Sequence, residues 1–386
     1  MAHHGNQPAT LLPATPRLDR LLPTVATSPG VPGLTRGTDR APGPARRTVV
    51  VLVDGLGAQL LARRSGHAPF LRSLLQDPEA AATIDCGFPS TTATSMGSFG
   101  TGSLAGSHGL VGYEAYDPGT DTVFNELSGE DGPAPRLWQP APTVFEAAGE
   151  HGVAVTRIGP GFFDGSGLTE AALRGGRFIA AKSPAARVDA TVTAVRAQPR
   201  SLVYLYWGDV DKIGHVHGCD SHEWVAELEE VDAQLAGLAN LLPPDTSLHI
   251  TADHGMVDVS LDARPDIAED AELDAGVRHV SGEPRCVQLH VQPGALDDVP
   301  ATWRARLGED AVVLTREEAV SAGWFGAVSD TVRPRIGDVI AVMTGPIAVR
   351  DSRRHRPELR ALIGVHGSIT ADEVAIPWLT LSAREQ

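Results

Sequence analysis

Seven residues spread along this chain combine metal-binding side chains with one hydroxyl group. In chain order the residues are Asp54, Thr92, Asp211, His215, Asp253, His254 and His366. Carboxylate and imidazole groups are common protein ligands of zinc-like ions, and a hydroxyl beside such an ion can attack phosphorus. Two trios of ligands plus a hydroxyl predict a two-metal hydrolase that acts on a phosphate ester.

Three of these residues follow apolar runs that are typical of buried strands. Asp54 comes directly after the run 48–53, and Asp253 and His254 come just after 248–251. In open α/β sheets, ligands bind outside the carboxyl ends of the strands, so all three residues are expected at one edge of a sheet. A turn aspartate that caps the next helix is the alternative for Asp54. Because an aspartate follows each of the two runs, and the second aspartate has a histidine beside it, the pattern favours a metal site.

The other candidate ligands lie in a helical turn and in a glycine-rich turn. Asp211 and His215 are four residues apart, which places both side chains on one face of a helix. The flanking Asp209 and His217 are alternatives, but neither has this spacing to a partner. His366 lies between glycines that let the backbone come close to an ion.

Thr92 belongs to a hydroxyl-rich segment, residues 89–95, that leads into the start of a predicted helix. A helix N-terminus offers free N–H groups to a phosphate and favours its negative charge. Such segments are also common as plain helix caps, so the nucleophile prediction depends on the neighbouring metal ligands.

Alternating strand and helix patterns surround these residues. Further buried strands are predicted at 153–158, 201–206 and 247–251. Helices are predicted at 58–76, 185–197 and 220–242, the last with Asp220 or Ser221 as its cap. This alternation predicts a doubly wound α/β fold with a mostly parallel sheet.

Changes in composition along the chain predict three parts. Residues 1–47 are rich in Pro and Gly and indicate an extended or partly disordered arm. Residues 48–256 and 351–386 form the predicted core. Acidic loops and short alternating runs in 257–350, including 286–291 and 338–343, predict an inserted cap subdomain that shapes the site.

Charge and composition exclude several classes of protein. The net charge of −16 argues against a protein that binds a nucleic-acid polymer, which needs a basic surface. Three scattered cysteines cannot form a disulfide framework. The chain has no predicted signal peptide and no run of 18 apolar residues, so we expect a cytoplasmic protein without a membrane partner. The sequence does not determine its oligomeric state.

Taken together, these residues resemble the alkaline phosphatase superfamily, and most closely its type I phosphodiesterase and nucleotide pyrophosphatase branch. The similarity covers roughly residues 48 to 380. The matching motifs are Val53-Asp54-Gly55, Phe88-Pro89-Ser90-Thr91-Thr92, Ser107-His108-Gly109-Leu110-Val111, Tyr116-Asp117-Pro118, Asp211-Lys212-Ile213-Gly214-His215, Ala252-Asp253-His254-Gly255-Met256 and His366-Gly367-Ser368.

The resemblance implies an alkaline-phosphatase-type fold and a role for each candidate residue. Thr92 would be the nucleophile that forms a covalent phosphothreonine. The two ions would be Zn²⁺, with Mn²⁺ or Fe possible in one site. The implied ligand sets are Asp54, Asp253, His254 and the Thr92 oxygen for one ion, and Asp211, His215 and His366 for the other.

One departure from the family pattern concerns the substrate, expected to be a small-molecule phosphate ester. Tyr113 stands where the branch usually has an asparagine that hydrogen-bonds a phosphate oxygen, so we expect Tyr113 to contact the substrate. No basic residue near Thr92 in the sequence matches the arginine of phosphomonoesterases, which favours diesters. An arginine of the predicted cap, such as Arg278, Arg285 or Arg335, could instead fold over the site.

The favoured function is therefore hydrolysis of a phosphodiester or pyrophosphate bond. The alternatives within the superfamily are a phosphomonoesterase or phosphonate hydrolase, and phosphotransfer to an acceptor alcohol at a membrane. A scaffold that binds metal and a phosphorylated ligand without turnover is the alternative outside enzymes. A serine-dependent mutase does not fit the threonine at position 92, and a sulfatase would need a Pro-Arg pattern that is missing there.

Overall fold

The computed structural model describes residues 17–32 and 43–384. Its strands are β1 (Arg47–Val53), β2 (Ala81–Asp85), β3 (Glu114–Asp117), β4 (Thr122–Asn125), β5 (Ala154–Gly159), β6 (Arg177–Ala180), β7 (Ser201–Trp207), β8 (Thr246–Thr251), β9 (Val257–Asp258), β10 (Val277–Glu283), β11 (Cys286–Val291), β12 (Ala311–Thr315), β13 (Val339–Met343), β14 (Gly364–Val365) and β15 (Ala375–Leu381). Its α-helices are α1 (Leu18–Ala26), α2 (Ala58–Arg64), α3 (Pro69–Leu75), α4 (Thr92–Thr101), α5 (Ala105–His108), α6 (Pro135–Trp138), α7 (Val144–Glu150), α8 (Gly167–Ala172), α9 (Pro184–Ala197), α10 (Asp209–His217), α11 (His222–Leu241), α12 (Ala271–Asp274), α13 (Asp298–Leu307), α14 (Arg316–Ser321), α15 (Pro357–Arg360) and α16 (Ala371–Val374).

The central sheet has the strand order β2-β15-β8-β1-β7-β5-β6. Strand β1 pairs in parallel with β7 and β8, and β15 is antiparallel to both of its neighbours. Six of the seven residues of β1 are buried, as expected for a β-branched strand with both faces covered. The predicted doubly wound α/β fold with a mostly parallel sheet is confirmed.

The predicted elements of the core occur with small changes in their bounds. Helix α11 begins after Ser221, whose hydroxyl accepts a hydrogen bond from the Trp224 N–H at 3.1 Å and caps the helix. The predicted helix 58–76 is instead two helices, α2 and α3, with a short 3₁₀ turn between them. Pro69 is the first residue of α3, because its ring cannot continue the preceding helix.

Part of the predicted N-terminal arm is helical. Helix α1 buries Leu18, Leu21, Leu22 and Val25 completely, and these side chains join the main hydrophobic core. Their three- and four-residue spacing forms one apolar face, which outweighs Pro23 within the helix. The prediction of an extended arm is therefore wrong for residues 18–26. Residues 1–16 and 33–42 of the predicted arm lie outside the described residues.

A second, six-stranded sheet has the order β12-β13-β11-β10-β3-β4. Four of its strands come from the region predicted as an inserted cap, but β3 and β4 come from the predicted core. Leu289, Trp303 and Met343 are completely buried in a separate apolar cluster beside this sheet. The boundaries of the cap, 257–350, stay a prediction. Among the described residues, no helix is long and apolar enough to cross a membrane.

Candidate metal centre and active site

The carboxyl ends of β1 and β8 bring three of the predicted ligands together. Asp54 follows β1, and Asp253 and His254 follow β8, its parallel neighbour. The His254 Nε2 atom lies 3.4 Å from Asp54 Oδ1 and 3.5 Å from Asp253 Oδ2. The Gly55 N–H donates to Asp253 Oδ1 at 3.1 Å and helps to fix this carboxylate. All three side chains are buried. We call them the buried ligand set.

Helix α10 and the turn after β14 bring the other three candidates to the same place. The His215 Nε2 atom lies 3.4 Å from Asp211 Oδ1, as the four-residue spacing predicts. The ring of His366 stacks on that of His254, with 3.8 Å between the centroids. Asp211, His215 and His366 are partly exposed, and we call them the outer ligand set.

Candidate ligand atoms of Asp54, Asp253 and His254 lie within 4.8 Å of one another, and so do those of Asp211, His254 and His366. His254 is common to both groups, whereas His215 reaches the cluster through Asp211. The division of the six side chains between two ions stays a prediction.

The flanking residues of α10 face elsewhere. Asp209 forms an ion pair with Arg187. His217 is exposed and lies 4.0 Å from Glu223. The structure therefore brings the inner pair of α10 to the centre and leaves the outer pair in other contacts.

Hydrogen bonds to the main chain fix the orientation of all three histidine rings. The Nδ1 atoms of His215, His254 and His366 lie 2.7, 3.0 and 3.0 Å from the carbonyl oxygens of Gly364, Gly255 and Ser90, respectively. A carbonyl oxygen only accepts hydrogen bonds, so each Nδ1 carries a proton and donates it. In a neutral ring, Nε2 then keeps a free lone pair, which is the arrangement of a histidine ligand whose other nitrogen is held by a supporting group.

The carboxylates facing these nitrogens have unsatisfied oxygens. Asp54 Oδ1, Asp211 Oδ1 and Asp253 Oδ2 are buried and accept no hydrogen bond. Each is an acceptor that faces the Nε2 lone pair of a histidine at 3.4 to 3.5 Å. Acceptors facing acceptors in a buried space are unfavourable unless a cation lies between them. The residues present therefore fit a pair of divalent cations.

Electrostatics agree with this assignment. Burial raises the pKa of Asp54 well above its usual value, and the nearby carboxylates of Asp253 and Asp211 raise it further. Burial likewise raises the pKa of Asp253. Both shifts express the cost of placing negative charges together away from water. Bound cations would offset that cost.

Thr92 is the first residue of α4 and faces the buried ligand set. Its Oγ1 lies 3.1 Å from His254 Nε2, and the hydroxyl donates because that nitrogen carries no proton. The preceding turn is tied to the His366 segment, since the Ser90 hydroxyl donates to the Ser368 carbonyl oxygen at 2.6 Å. The nucleophile candidate thus lies at a helix N-terminus, where free N–H groups can receive a phosphate.

Tyr206 supports the buried ligand set and was not predicted from the sequence. Its hydroxyl donates a hydrogen bond to Asp54 Oδ2 from the adjacent strand β7. Burial and the nearby Asp54 raise the pKa of Tyr206 well above its usual value, so the phenol keeps its proton and remains a donor. In the pairing of β1 with β7, Tyr206 lies opposite Leu52, and Leu52 is two residues before Asp54. A correct alignment of these two strands could have indicated that Tyr206 is a neighbour of Asp54.

Two cavities open from the centre. The smaller cavity, about 150 Å³, is lined by Asp54, Thr92 and Asp211 and by apolar side chains, with Arg157 in its wall. The larger cavity, about 290 Å³, is lined by His215, His366 and other residues that include Tyr113. Tyr113 thus lines the same cavity as His215 and His366, and its contact with the substrate stays a prediction.

The expected cap arginines do not fold over Thr92. Arg278 pairs with Asp121, and Arg285 pairs with Glu373. Arg335 donates to two carbonyl oxygens and lies over the Trp138 ring. Arg157 instead lines the cavity that contains Thr92. Arg157 was not predicted from the sequence, where only basic residues near Thr92 and three arginines of the predicted cap were considered. Arg157 comes from β5, 65 positions away in sequence, so local spacing could not reveal it.

Comparisons with known proteins show the family and agree with the fold. A family model described as type I phosphodiesterase / nucleotide pyrophosphatase matches residues 48–369. Among solved structures, murine ectonucleotide pyrophosphatase / phosphodiesterase 5 is similar with a TM-score of 0.70 and 20% identity, over 86% of this chain and 87% of that one. Phosphonoacetate hydrolase from Sinorhizobium meliloti 1021, in complex with phosphonoacetate, has a TM-score of 0.66 and 22% identity, over 87% and 90% of the two chains.

Similarity to curated sequences is more local. The chain is 35% identical over 118 residues to a phosphopentomutase from Anaeromyxobacter dehalogenans. The match spans 30% of this chain and 28% of that relative. A phosphopentomutase from Kosmotoga olearia matches at 33% identity over 109 residues, which is 26% of its length. These matches concern a part of the chain, whereas the family model covers most of it.

Proposed function

The chain belongs to the type I phosphodiesterase / nucleotide pyrophosphatase family, and on this basis we propose that it is a two-metal hydrolase of phosphodiester or pyrophosphate bonds. The observation that carries the proposal is the cluster of three unpartnered carboxylate oxygens, on Asp54, Asp211 and Asp253, that face the Nε2 atoms of two histidines, His215 and His254. Thr92 Oγ1 lies beside this cluster at the start of a helix. Metal ligands and a nucleophile are thus adjacent.

The six clustered side chains would hold the cations, and Zn²⁺ suits their mixture of carboxylate and imidazole. In the proposed division, the buried ligand set and the Thr92 oxygen hold one ion and the outer ligand set holds the other. When bound, the ions would lower the pKa of a hydroxyl or water and offset negative charge on the phosphate oxygens. Mn²⁺ or Fe would also be compatible with one site.

The chain's own residues position the reacting groups. The free N–H groups at the start of α4 receive a non-bridging phosphate oxygen, and Thr92 Oγ1 attacks phosphorus after losing its proton to solvent. The P–O bond to the leaving group breaks, and that oxygen takes up a proton from water. Water then cleaves the phosphothreonine and restores the Thr92 hydroxyl, so the net reaction consumes one water per ester.

Thr92→Ala tests the proposal directly. We expect its turnover of bis(4-nitrophenyl) phosphate to fall at least ~10³-fold, because the variant lacks the attacking oxygen. Its metal content, measured by elemental analysis, should stay high, since six other ligands remain. Thr92→Ser should keep part of the activity.

Thr101→Ala is the matched control, because Thr101 lies at the other end of α4 and donates to the Gly97 carbonyl oxygen. We expect it to behave as wild type. Full activity of Thr92→Ala would exclude Thr92 as the nucleophile. If metal-loaded wild-type protein turned over none of a panel of phosphate esters, the binding scaffold would replace the enzyme as the favoured function.

A phosphomonoesterase or phosphonate hydrolase is the second candidate function. The observation that favours it is Arg157, which lines the same cavity as Thr92 and could bind additional anionic charge. The ratio of kcat/KM values for 4-nitrophenyl phosphate and bis(4-nitrophenyl) phosphate distinguishes the candidates. We expect the diester to be preferred; a clear preference for the monoester would favour the second candidate.

A further inference from the structure

Arg157 is a buried arginine without a polar partner. Arg157 belongs to the buried strand β5, and its Nε and Nη1 atoms are buried without a hydrogen-bond partner among the described residues. Five other buried arginines each donate to carboxylate or carbonyl oxygens; they are Arg174, Arg187, Arg264, Arg285 and Arg335. Arg157 therefore differs from them in having its donors unused.

The strand register directs Arg157 toward the site. Arg157 pairs with Tyr204 on β7 and with Phe178 on β6, so the three side chains share one face of the sheet. All three line the cavity of about 150 Å³ that also contains Thr92 and Asp54. The guanidinium carbon lies 5.7 Å from the centre of the Phe178 ring, which gives it one weak partner.

The surrounding charges do not neutralise Arg157. Burial lowers the pKa of Arg157, and the nearby Glu170, Asp164 and Tyr204 oppose that shift only in part. Glu170 is already paired with Arg136 at 3.2 Å. A buried cation with unused donors is unfavourable unless a counter-charge reaches it. Asp54 and Asp211 also line this cavity, but both belong to the two ligand sets, and the rest of its wall is largely apolar. The counter-charge for Arg157 is therefore expected to come from a ligand.

We propose that Arg157 binds a second anionic group of the substrate, a carboxylate or a phosphate carried on an apolar ring or short chain. The cavity has the volume that holds a benzene-sized group, and its apolar wall would contact the spacer while Arg157 pairs with the anion. This inference rests on the proposed function, since it assigns a specificity-determining residue to the same site.

Binding of a matched pair of phosphonates tests the inference without turnover. (4-Carboxyphenyl)phosphonate and (4-carbamoylphenyl)phosphonate have nearly the same shape, but only the first carries a second anion. Calorimetry on zinc-loaded wild-type protein should show at least ~10-fold tighter binding of the carboxylate ligand. Arg157→Met should lose this preference while its affinity for the carboxamide changes little. Arg72→Gln removes an exposed arginine on α3 and should keep the wild-type preference.

Equal binding of the two ligands by wild-type protein, or binding of neither, would overturn the inference. So would an Arg157→Met protein that keeps the carboxylate preference. If Arg157→Met does not fold, Arg157→Gln, which removes the charge but keeps a polar side chain, takes its place in the same comparison. A third ligand, 1,4-phenylenediphosphonate, shows whether carboxylate or phosphate is preferred, and tighter binding of either than of the carboxamide supports the inference.

The same ligands separate this inference from the proposed function. Selective binding of the carboxylate ligand without hydrolysis of any ester would support the anion subsite at Arg157 and contradict the proposed hydrolase function. Hydrolysis of esters with equal binding of the two ligands would support the proposed hydrolase function and contradict the role of Arg157.

Discussion

The buried and outer ligand sets are held by the fold in different ways. Asp54, Asp253 and His254 are at most 2% exposed and follow two adjacent parallel strands of the core. The side chains of the outer set come from α10 and from the turn after β14, and they are 11 to 22% exposed. The buried ligand set is therefore part of the sheet edge, and the outer ligand set lies closer to the solvent.

This difference indicates different dependence on the rest of the chain. The register of β1 and β8 fixes the buried set, whereas the outer set needs contacts between distant segments. His215 donates to the Gly364 carbonyl oxygen, 149 residues away, and His366 donates to that of Ser90, 276 residues away. We therefore expect the buried set to hold its ion more tightly and the outer set to exchange its ion more readily.

Removal of one ligand from each set gives the largest expected effects. Asp253→Asn should lose the tightly held ion, and its activity on bis(4-nitrophenyl) phosphate should fall more than ~100-fold, beyond the usual effect of a supporting residue. His366→Asn should lose mainly the exchangeable ion. Elemental analysis after treatment with graded chelator concentrations measures both losses.

His217→Asn is the control for this comparison, because His217 lies on the same helix as His215 but is exposed. It should release metal as wild type does. If Asp253→Asn and His366→Asn lost the same ion at the same chelator concentration, the proposed difference between the sets would be wrong.

Tyr206→Phe is expected to weaken the buried set alone. The variant loses the hydrogen bond to Asp54 Oδ2 but keeps the ring that packs in the core. Loss of such a supporting partner typically costs about 10- to 100-fold in metal affinity or activity. In a chelator titration, the exchangeable ion is released first and the tightly held ion in a later step. The variant should release the tightly held ion at a lower chelator concentration than wild type, and the exchangeable ion at the same concentration.

Tyr204→Phe is the matched control, because the Tyr204 hydroxyl on the same strand donates to the Met96 sulfur, at 3.6 Å, instead of to a candidate ligand. Its metal release should match wild type. A shift of the earlier step in Tyr206→Phe would show that Asp54 supports both ions equally.

Tyr113→Phe should have the smallest effect. Tyr113 lines the larger cavity beside the outer set, where the phenol could donate to the substrate. Loss of one hydrogen bond predicts a decrease of about 2- to 10-fold in kcat/KM. Tyr116→Phe is the control, since Tyr116 donates to the exposed Asp121 instead. An altered metal release in Tyr113→Phe would contradict a role limited to the substrate.

The sequence predicted the features that depend on local pattern. Buried strands followed by Asp54 and by Asp253 show both the sheet and its ligand-bearing edge, because parallel strands end at the same side. The spacing of Asp211 and His215 likewise predicts their shared helix face. These inferences need only the pattern of apolar residues and the positions of the candidate ligands along the chain.

Features that depend on contacts between distant segments were not predicted. Strands β3 and β4 join the second sheet through pairing with β10, which no local pattern specifies. Arg157 was missed for the same reason, although an arginine within an apolar strand pattern is a visible anomaly. In α1, the spacing of Leu18, Leu21, Leu22 and Val25 was available but was hidden by the surrounding Pro and Gly.

Anomalous X-ray diffraction at the zinc edge, from crystals of zinc-loaded protein, tests the central claim most directly. We predict two peaks per chain, one among the buried ligand set and Thr92 and the other among the outer ligand set, each about 2.0 to 2.2 Å from its nitrogen and oxygen ligands. The absence of both peaks, or peaks only at other sites, would contradict the account.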